Sequence, residues 1–242
     1  MKPKGEIEMA NSGIEKSQIR YARLAGFMYL FVIVADLMSL AITSRFEVAG
    51  NFAETVHRIM GAELLYRIGL SSGFIGSICT VFLAMGLYGS VKPVNGNLAL
   101  LAFLFRLAEA TLGAALSVFN FAVLKLSVSS DCVSSFSASQ LSILMNLRSA
   151  ANSAGMNIAA ILFSIGSTLF FYLFLKSRYL PQLLPVLGLL ASPLVTIVSF
   201  ASLISPHPST MLQLGWLPIV AAELLTGMWL LFKGINLQPR ES

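Results

Sequence analysis

The chain has 242 residues, 56% of them hydrophobic and 11% charged. Soluble domains carry about 25% charged residues. With a mean hydropathy of +0.80, these values exclude a soluble globular domain, a disordered chain, a coiled coil and a disulfide scaffold. The net charge of +5 is scattered near the ends of apolar runs, not gathered in a stripe with aromatics, which argues against a nucleic-acid surface.

The apolar residues come in runs of about 20, the length that crosses a bilayer as a helix. The pattern predicts an all-α, polytopic transmembrane bundle of six spans. In chain order they are Ala22–Thr43, Ala62–Val91, Leu98–Val128, Asn152–Lys176, Leu180–Ile204 and Met211–Ile235. The first run is too long for a signal-peptide core and is expected to be retained. Residues 1–21 form a cytoplasmic N-terminal segment, 22–235 the six-span domain and 236–242 a cytoplasmic tail. Two stretches read as short outer interfacial helices. Val48–Met60 spaces Phe52, Val56 and Met60 by four residues, beside Glu54, His57 and Arg58. Ser139–Ala151 mixes Leu141, Ile143, Leu144 and Leu147 with polar neighbours, and Ser137 or Ser139 offers an N-cap.

Turns fall at Lys92-Pro93-Val94-Asn95-Gly96-Asn97, Ser177-Arg178-Tyr179-Leu180-Pro181 and Ser205-Pro206-His207-Pro208-Ser209. Pro185, Pro193 and Pro218 are candidate kinks. Gly69-Leu70-Ser71-Ser72-Gly73, continued by Gly76, reads as a close helix-packing face. Orientation follows from Lys and Arg. One side receives Lys2, Lys4, Lys16, Arg20, Arg23, Lys92, Lys176, Arg178, Lys233 and Arg240; the other receives Arg45, Arg58 and Lys125. Both termini are therefore expected in the cytoplasm, with Cys132 and the interfacial helices outside. Cys79 and Cys132 fall at different depths, so no disulfide joins them in this reading.

Charge inside a span is costly, about 2.5 kcal/mol or more per residue, so its placement is the most informative signal here. A rise of about 1.5 Å per residue puts Asp36 roughly 20 Å from the inner face, Arg106 about 12 Å and Glu109 about 16 Å in, and Glu223 roughly 15–18 Å in. Two layers result. Arg106, Glu109 and Glu223 fall near the midplane. Asp36, Glu63, Arg67 and Arg148 fall in the outer half, with Asn152 and Asn157 following Arg148. Glu63 with Arg67, and Arg106 with Glu109, each share a helix face by their spacing. These nine side chains are the candidate ligand-binding residues. No metal motif, Gly-rich phosphate loop or nucleophile elbow occurs, so no metal, no cofactor and no catalytic residue is assigned. The absence of a deep lysine disfavours a retinal Schiff base.

Several segments taken in order carry a family resemblance: Ala22-Arg23-Leu24-Ala25-Gly26-Phe27-Met28-Tyr29-Leu30, Ala62-Glu63-Leu64-Leu65-Tyr66-Arg67-Ile68-Gly69, Leu87-Tyr88 leading into Val91-Lys92-Pro93-Val94-Asn95-Gly96-Asn97, Phe105-Arg106-Leu107-Ala108-Glu109-Ala110 and Lys176-Ser177-Arg178-Tyr179-Leu180-Pro181. The chain resembles, over about residues 20–233, a bacterial family of integral membrane proteins catalogued as domain of unknown function 4386. The resemblance implies a bacterial inner membrane and six spans. It also implies that the Glu63/Arg67 and Arg106/Glu109 pairs belong to the family pattern. One departure is expected: relatives carry a histidine in the fourth span where this chain has Gly166.

Three functions are compatible with these residues. The first is a polar-lined intramembrane cavity that binds a lipid-like or amphipathic small molecule, for transport or sensing. Arg106 would receive an anionic or carbonyl group, Glu109 and Glu223 would orient it or accept protons, and the outer set would shape the entrance. The second is an intramembrane enzyme acting on a prenyl or lipid substrate through buried carboxylates. The third is a structural or accessory subunit whose charges hold helices together. Membrane lipids are the expected partners.

Overall fold

The computed structural model describes residues 4–48, 51–128, 137–205 and 214–237. Cys132, residues 206–213 of the last inter-span turn and sixth-span start, and the tail beyond residue 237 lie outside them. The described residues form seven helices, α1 (Lys4–Thr43), α2 (Phe52–Gly61), α3 (Glu63–Val91), α4 (Gly96–Val128), α5 (Ala138–Ser177), α6 (Leu183–Ile204) and α7 (Leu217–Phe232), the last entered through a single 3₁₀ turn at Leu214–Trp216. Six of these are long and apolar enough to cross a membrane. The protein is therefore an all-α, multi-pass membrane protein.

The six long helices make a closed ring in chain order. Each packs on its sequence neighbour, α1 on α3, α3 on α4, α4 on α5, α5 on α6 and α6 on α7, and α7 returns to α1. α3 and α5 also meet across the ring. The short α2 touches α3, α4 and α5 at the end of the bundle away from the termini. The order follows from short connections, which make consecutive spans antiparallel neighbours.

Lipid is as apolar as leucine, so burying apolar surface does not draw spans together. Close backbone approach does. α1 is held this way on both sides. A Cβ on Gly26 would stand 2.7 Å from the Gly227 carbonyl oxygen of α7, and one on Gly86 of α3 would stand 2.8 Å from the Ala25 nitrogen. Gly69 and Gly73 face Ile42 and Ser39 of α1, which is the packing role read from their spacing. The hydroxyl of Ser72 donates to the Ala35 carbonyl at 2.8 Å, and Gln18 donates to that of Ser90 at 2.6 Å. Near the termini the ring is filled by Tyr29, Leu83, Leu87, Phe170, Leu173, Phe174 and Leu230.

The expected boundaries differ in instructive places. The helix that carries the first span is longer than the span: α1 runs unbroken from Lys4 for 40 residues. The stretch Ser139–Ala151 is not a separate interfacial helix. It is the first part of α5, a single helix of 40 residues started by a Ser137/Gln140 capping box. Between Ser139 and Asn152 there is neither Gly nor Pro to turn the chain. Val48–Met60 does yield a separate helix, because Gly61 is followed by Ala62 at φ −149°, ψ 49°, outside helical geometry. Of the three prolines, Pro193 lies beyond the first turn, in a helix interior. Pro185 and Pro218 sit in the first turns of α6 and α7, where a missing N–H leaves no helical bond unmade.

Candidate functional site

The sequence-predicted residues separate into two polar clusters and one isolated pair. The first cluster lies at the α2 end and is built on Arg148, only 7% exposed. Its Nη2 donates to Glu47 Oε1 at 2.7 Å and to the Tyr66 hydroxyl at 2.6 Å, and its Nε donates to Asn120 Oδ1 at 2.9 Å. Asn120 in turn donates to Asn152 Oδ1 at 3.2 Å. The guanidinium also lies 5.9 Å from the Tyr66 ring centroid, and that ring meets Phe46 edge-on. α3, α4, α5 and the α1–α2 connection are thus joined through one side chain. The cleft beside it is about 10 Å³, room for about one water.

The second cluster is the midplane set, and α4 carries its centre. Arg106 projects from α4 onto α5 and is 2% exposed. Its guanidinium carbon stands 4.7 Å from the ring centroid of Phe163, which is stacked on Trp216. Its aliphatic stem lies over Gly166, where a Cβ would come within 3.0 Å of Arg106 Cγ. Arg106 Nη1 stands 3.1 Å from Glu109 Oε2, on the next turn of the same helix. The pair is not aligned as a hydrogen bond, and Arg106 Nε has no acceptor. Across the ring, Glu223 of α7 accepts one hydrogen bond, from Ser167 of α5, at 3.4 Å. Tyr29 and Asp36 of α1 and Glu223 of α7 lie within electrostatic reach of Arg106. Direct contacts join α4 to α5 at Arg106 and α5 to α7 at Ser167 and Glu223.

Asp36 belongs with this set as well as with the outer layer in which counting placed it. It is two turns from Tyr29 on the same face of α1, its Oδ1 lies against Gly76 of α3, and it is exposed. Glu109 keeps 20% of its side-chain surface exposed. The cluster is thus closed around Arg106 and open at its carboxylates. Thr226, one turn beyond Glu223, is fully buried with its hydroxyl unpartnered.

The remaining candidates stand apart. Glu63 and Arg67 form an i,i+4 ion pair at 2.6 Å, each side chain about two-fifths exposed, and among the described residues neither has another charged partner. Asn157 donates to the Ser153 carbonyl of its own helix at 2.9 Å. Sequence reasoning did not single out Glu47, Tyr66, Asn120, Tyr29, Phe163, Ser167 or Thr226. A signal existed for two of them. Tyr66 sits inside the Glu63–Arg67 motif, and Asn120 interrupts an apolar run. Outside the spans, the Arg58 guanidinium donates to Glu54 on α2 at 2.7 Å and holds that carboxyl below its ordinary range.

No curated protein and no solved structure matches the chain. The sequence profile of one family, described as Domain of unknown function (DUF4386), matches residues 24–234. That stretch takes in all six candidate spans apart from the first residues of α1, both polar clusters and the α2 corner, and the chain belongs to this family.

Proposed function

We propose that this protein is a multi-pass protein of a bacterial cytoplasmic membrane, with both termini cytoplasmic, whose bundle centre binds a lipid-like or amphipathic small molecule for transport or sensing. One observation carries the reading: Arg106 is buried with hydrogen-bonding capacity unused. A buried polar group left unsatisfied costs about 1–3 kcal/mol, more when charged. Arg148 supplies the contrast within the same chain. Its donors meet a carboxylate, a phenol and an amide, as expected of a group whose task is cohesion. Arg106 has a rigid aromatic floor, a glycine that clears its stem, and donors without acceptors. That combination suits a group held ready for an oxygen-bearing ligand.

The cohesive reading is favoured for the Arg148 cluster alone, on the strength of its three hydrogen bonds to three different elements. The orientation is supported by the basic residues Lys16, Arg20 and Arg23, which precede the apolar part of α1, and by Lys92, Lys176, Arg178 and Lys233 at helix ends on the same side.

Native mass spectrometry of protein released from a mild neutral detergent tests the reading, with wild type beside Glu223→Gln. A discrete bound mass in the wild type, lost from the folded variant, is the expected result. Bare protein in both, with the variant only less stable, would assign the midplane set to cohesion and overturn the proposal.

A further inference from the structure

The charges around Arg106 do not balance, and the imbalance describes the ligand. Arg106 has one close carboxylate, Glu109 at 3.1 Å. Glu223 and Asp36 then remain, and among the described residues no Lys or Arg forms a salt bridge with either. Glu223 has one long hydrogen bond, from Ser167. For Asp36, no hydrogen bond to a described residue is present; its oxygen lies against the bare backbone of Gly76. Carboxylates at this depth need a counter-cation or a proton. Carboxylates alone would not define a site. Arg106, almost fully buried on the same centre with its Nε free, adds an independent requirement for an acceptor atom.

Resting on the binding reading above, we propose that the ligand is a cationic amphiphile: an apolar chain whose head bears a protonated amine for Glu223 and Asp36 and an adjacent oxygen for Arg106. A simple anion meets the guanidinium but faces three carboxylates. A neutral lipid fits only with Glu223 and Asp36 both protonated, a requirement that a cationic head removes. A metal ion is a poor occupant, because among the described residues no three His, Cys, Asp or Glu side chains gather closely enough to hold one. An organic ammonium needs no such cage and tolerates spread carboxylates. Phe163, Ala160, Val195 and Ile219 beside Arg106 are packed into a buried core, so the apolar chain would lie outward, along the exposed Val34, Leu37 and Met38 that flank Asp36 on α1. Entry for the head group lies on the side of the exposed Asp36 and the partly exposed Glu109.

The test uses the full chain in neutral maltoside detergent and three probes of equal chain length: N-dodecylethanolamine, laurate and monolaurin. Native mass spectrometry reads the fraction of protein carrying one probe. The expected result is a one-to-one adduct with the amine only, reduced at least tenfold in Glu223→Gln and in Asp36→Asn, and unchanged in Glu54→Gln on α2. Asp36→Asn, at the open side of the cluster, keeps the test decisive should Glu223→Gln fail to fold. An amine adduct that survives both variants overturns the proposal. A laurate or monolaurin adduct in its place, lost in Arg106→Lys, overturns the cationic class while leaving the binding site standing. No adduct with any probe, together with no co-purified mass, overturns both.

Discussion

Arg148 of α5 donates to the hydroxyl of Tyr66 on α3 at 2.6 Å, and through this bond two helices that are not ring neighbours are tied together. Tyr66 is 1% exposed, and its ring also carries the edge contact with Phe46. Tyr66→Phe keeps the ring and deletes only the hydroxyl. Hydrogen bonds inside membrane bundles average about 0.6 kcal/mol in net terms and reach about 1.7, and one to a charged group belongs at the upper end. The expected loss is about 1–1.5 kcal/mol. Arg148→Leu removes three bonds and leaves Asn120 short of a donor; because Glu47 is half exposed and can rehydrate, its cost is set at about 2–3 kcal/mol. Reversible unfolding in mixed micelles measures both. Equal losses for the two variants would contradict the hub role given to Arg148.

Gly166 exists for the stem of Arg106. A Cβ there meets Arg106 Cγ at 3.0 Å and the Ala102 carbonyl oxygen at 3.1 Å. The first neighbour can swing aside; the second is backbone. Gly166→Ala is therefore expected to cost about 1–3 kcal/mol as an overpacked site and to shift Arg106 over Phe163. A histidine at 166, as the family resemblance leads one to expect in relatives, would fill the space the stem occupies here. The prediction is a non-additive pair: Gly166→His destabilises, and Gly166→His combined with Arg106→Ala is more stable than Gly166→His alone. A thermal-melt cycle over the four proteins checks it. Additive losses would mean that the two side chains do not compete for one volume.

Apolar run length placed all six spans, because a bilayer fixes how long an apolar helix must be. Run length says nothing about where a helix continues past the bilayer, and so α1 and α5 are longer than their hydrophobic parts. Counting residues brought Arg106, Glu109 and Glu223 to one depth, since rise along a helix is regular. It could not show that Glu223 faces Ser167, or that Arg148 meets Glu47 from 101 positions away. Those contacts depend on the rotation of each helix about its axis and on the order of the ring. The i,i+4 rule identified Glu63–Arg67 as a pair; the structure adds that it is about two-fifths exposed and, among the described residues, has no further charged partner. Thr226, near neutral in hydropathy, became visible only through its burial, whereas Asn120 interrupts an apolar run and only its partners were hidden.

The ring closes through Gly26 and Gly227, which place α1 and α7 in backbone contact. Gly26→Val sets a branched side chain against the α7 main chain, with no flexible neighbour to yield. The helices must separate there, and with them Tyr29, whose Cβ rests against Gly227. The expected outcome is loss of the compact monodisperse state, read by size exclusion in mild detergent and by proteolysis. Gly96→Val is the control, because a Cβ at Gly96 meets nothing within 4 Å. If both variants behave alike, close approach is not what holds α1 to α7.

α2 offers a local prediction with a defined pH sign. Asn51 caps its first turn by accepting from the Glu54 N–H at 3.1 Å, and Arg58 donates to Glu54 one turn on at 2.7 Å. The Arg58 hydrogen bond lowers the Glu54 carboxyl in the folded helix. A group lowered on folding adds stability above its unfolded pKa, and that stability is lost as pH falls through the folded value. Amide exchange in α2, corrected for its intrinsic pH dependence, should therefore quicken below the ordinary carboxylate range and stay flat above it. Glu54→Gln should remove the pH dependence with little other change, since exposed pairs contribute little. Asn51→Ala should cost the helix about 1 kcal/mol at every pH by stripping the cap. An acid response that persists in Glu54→Gln would show that Glu54 is not the titrating group.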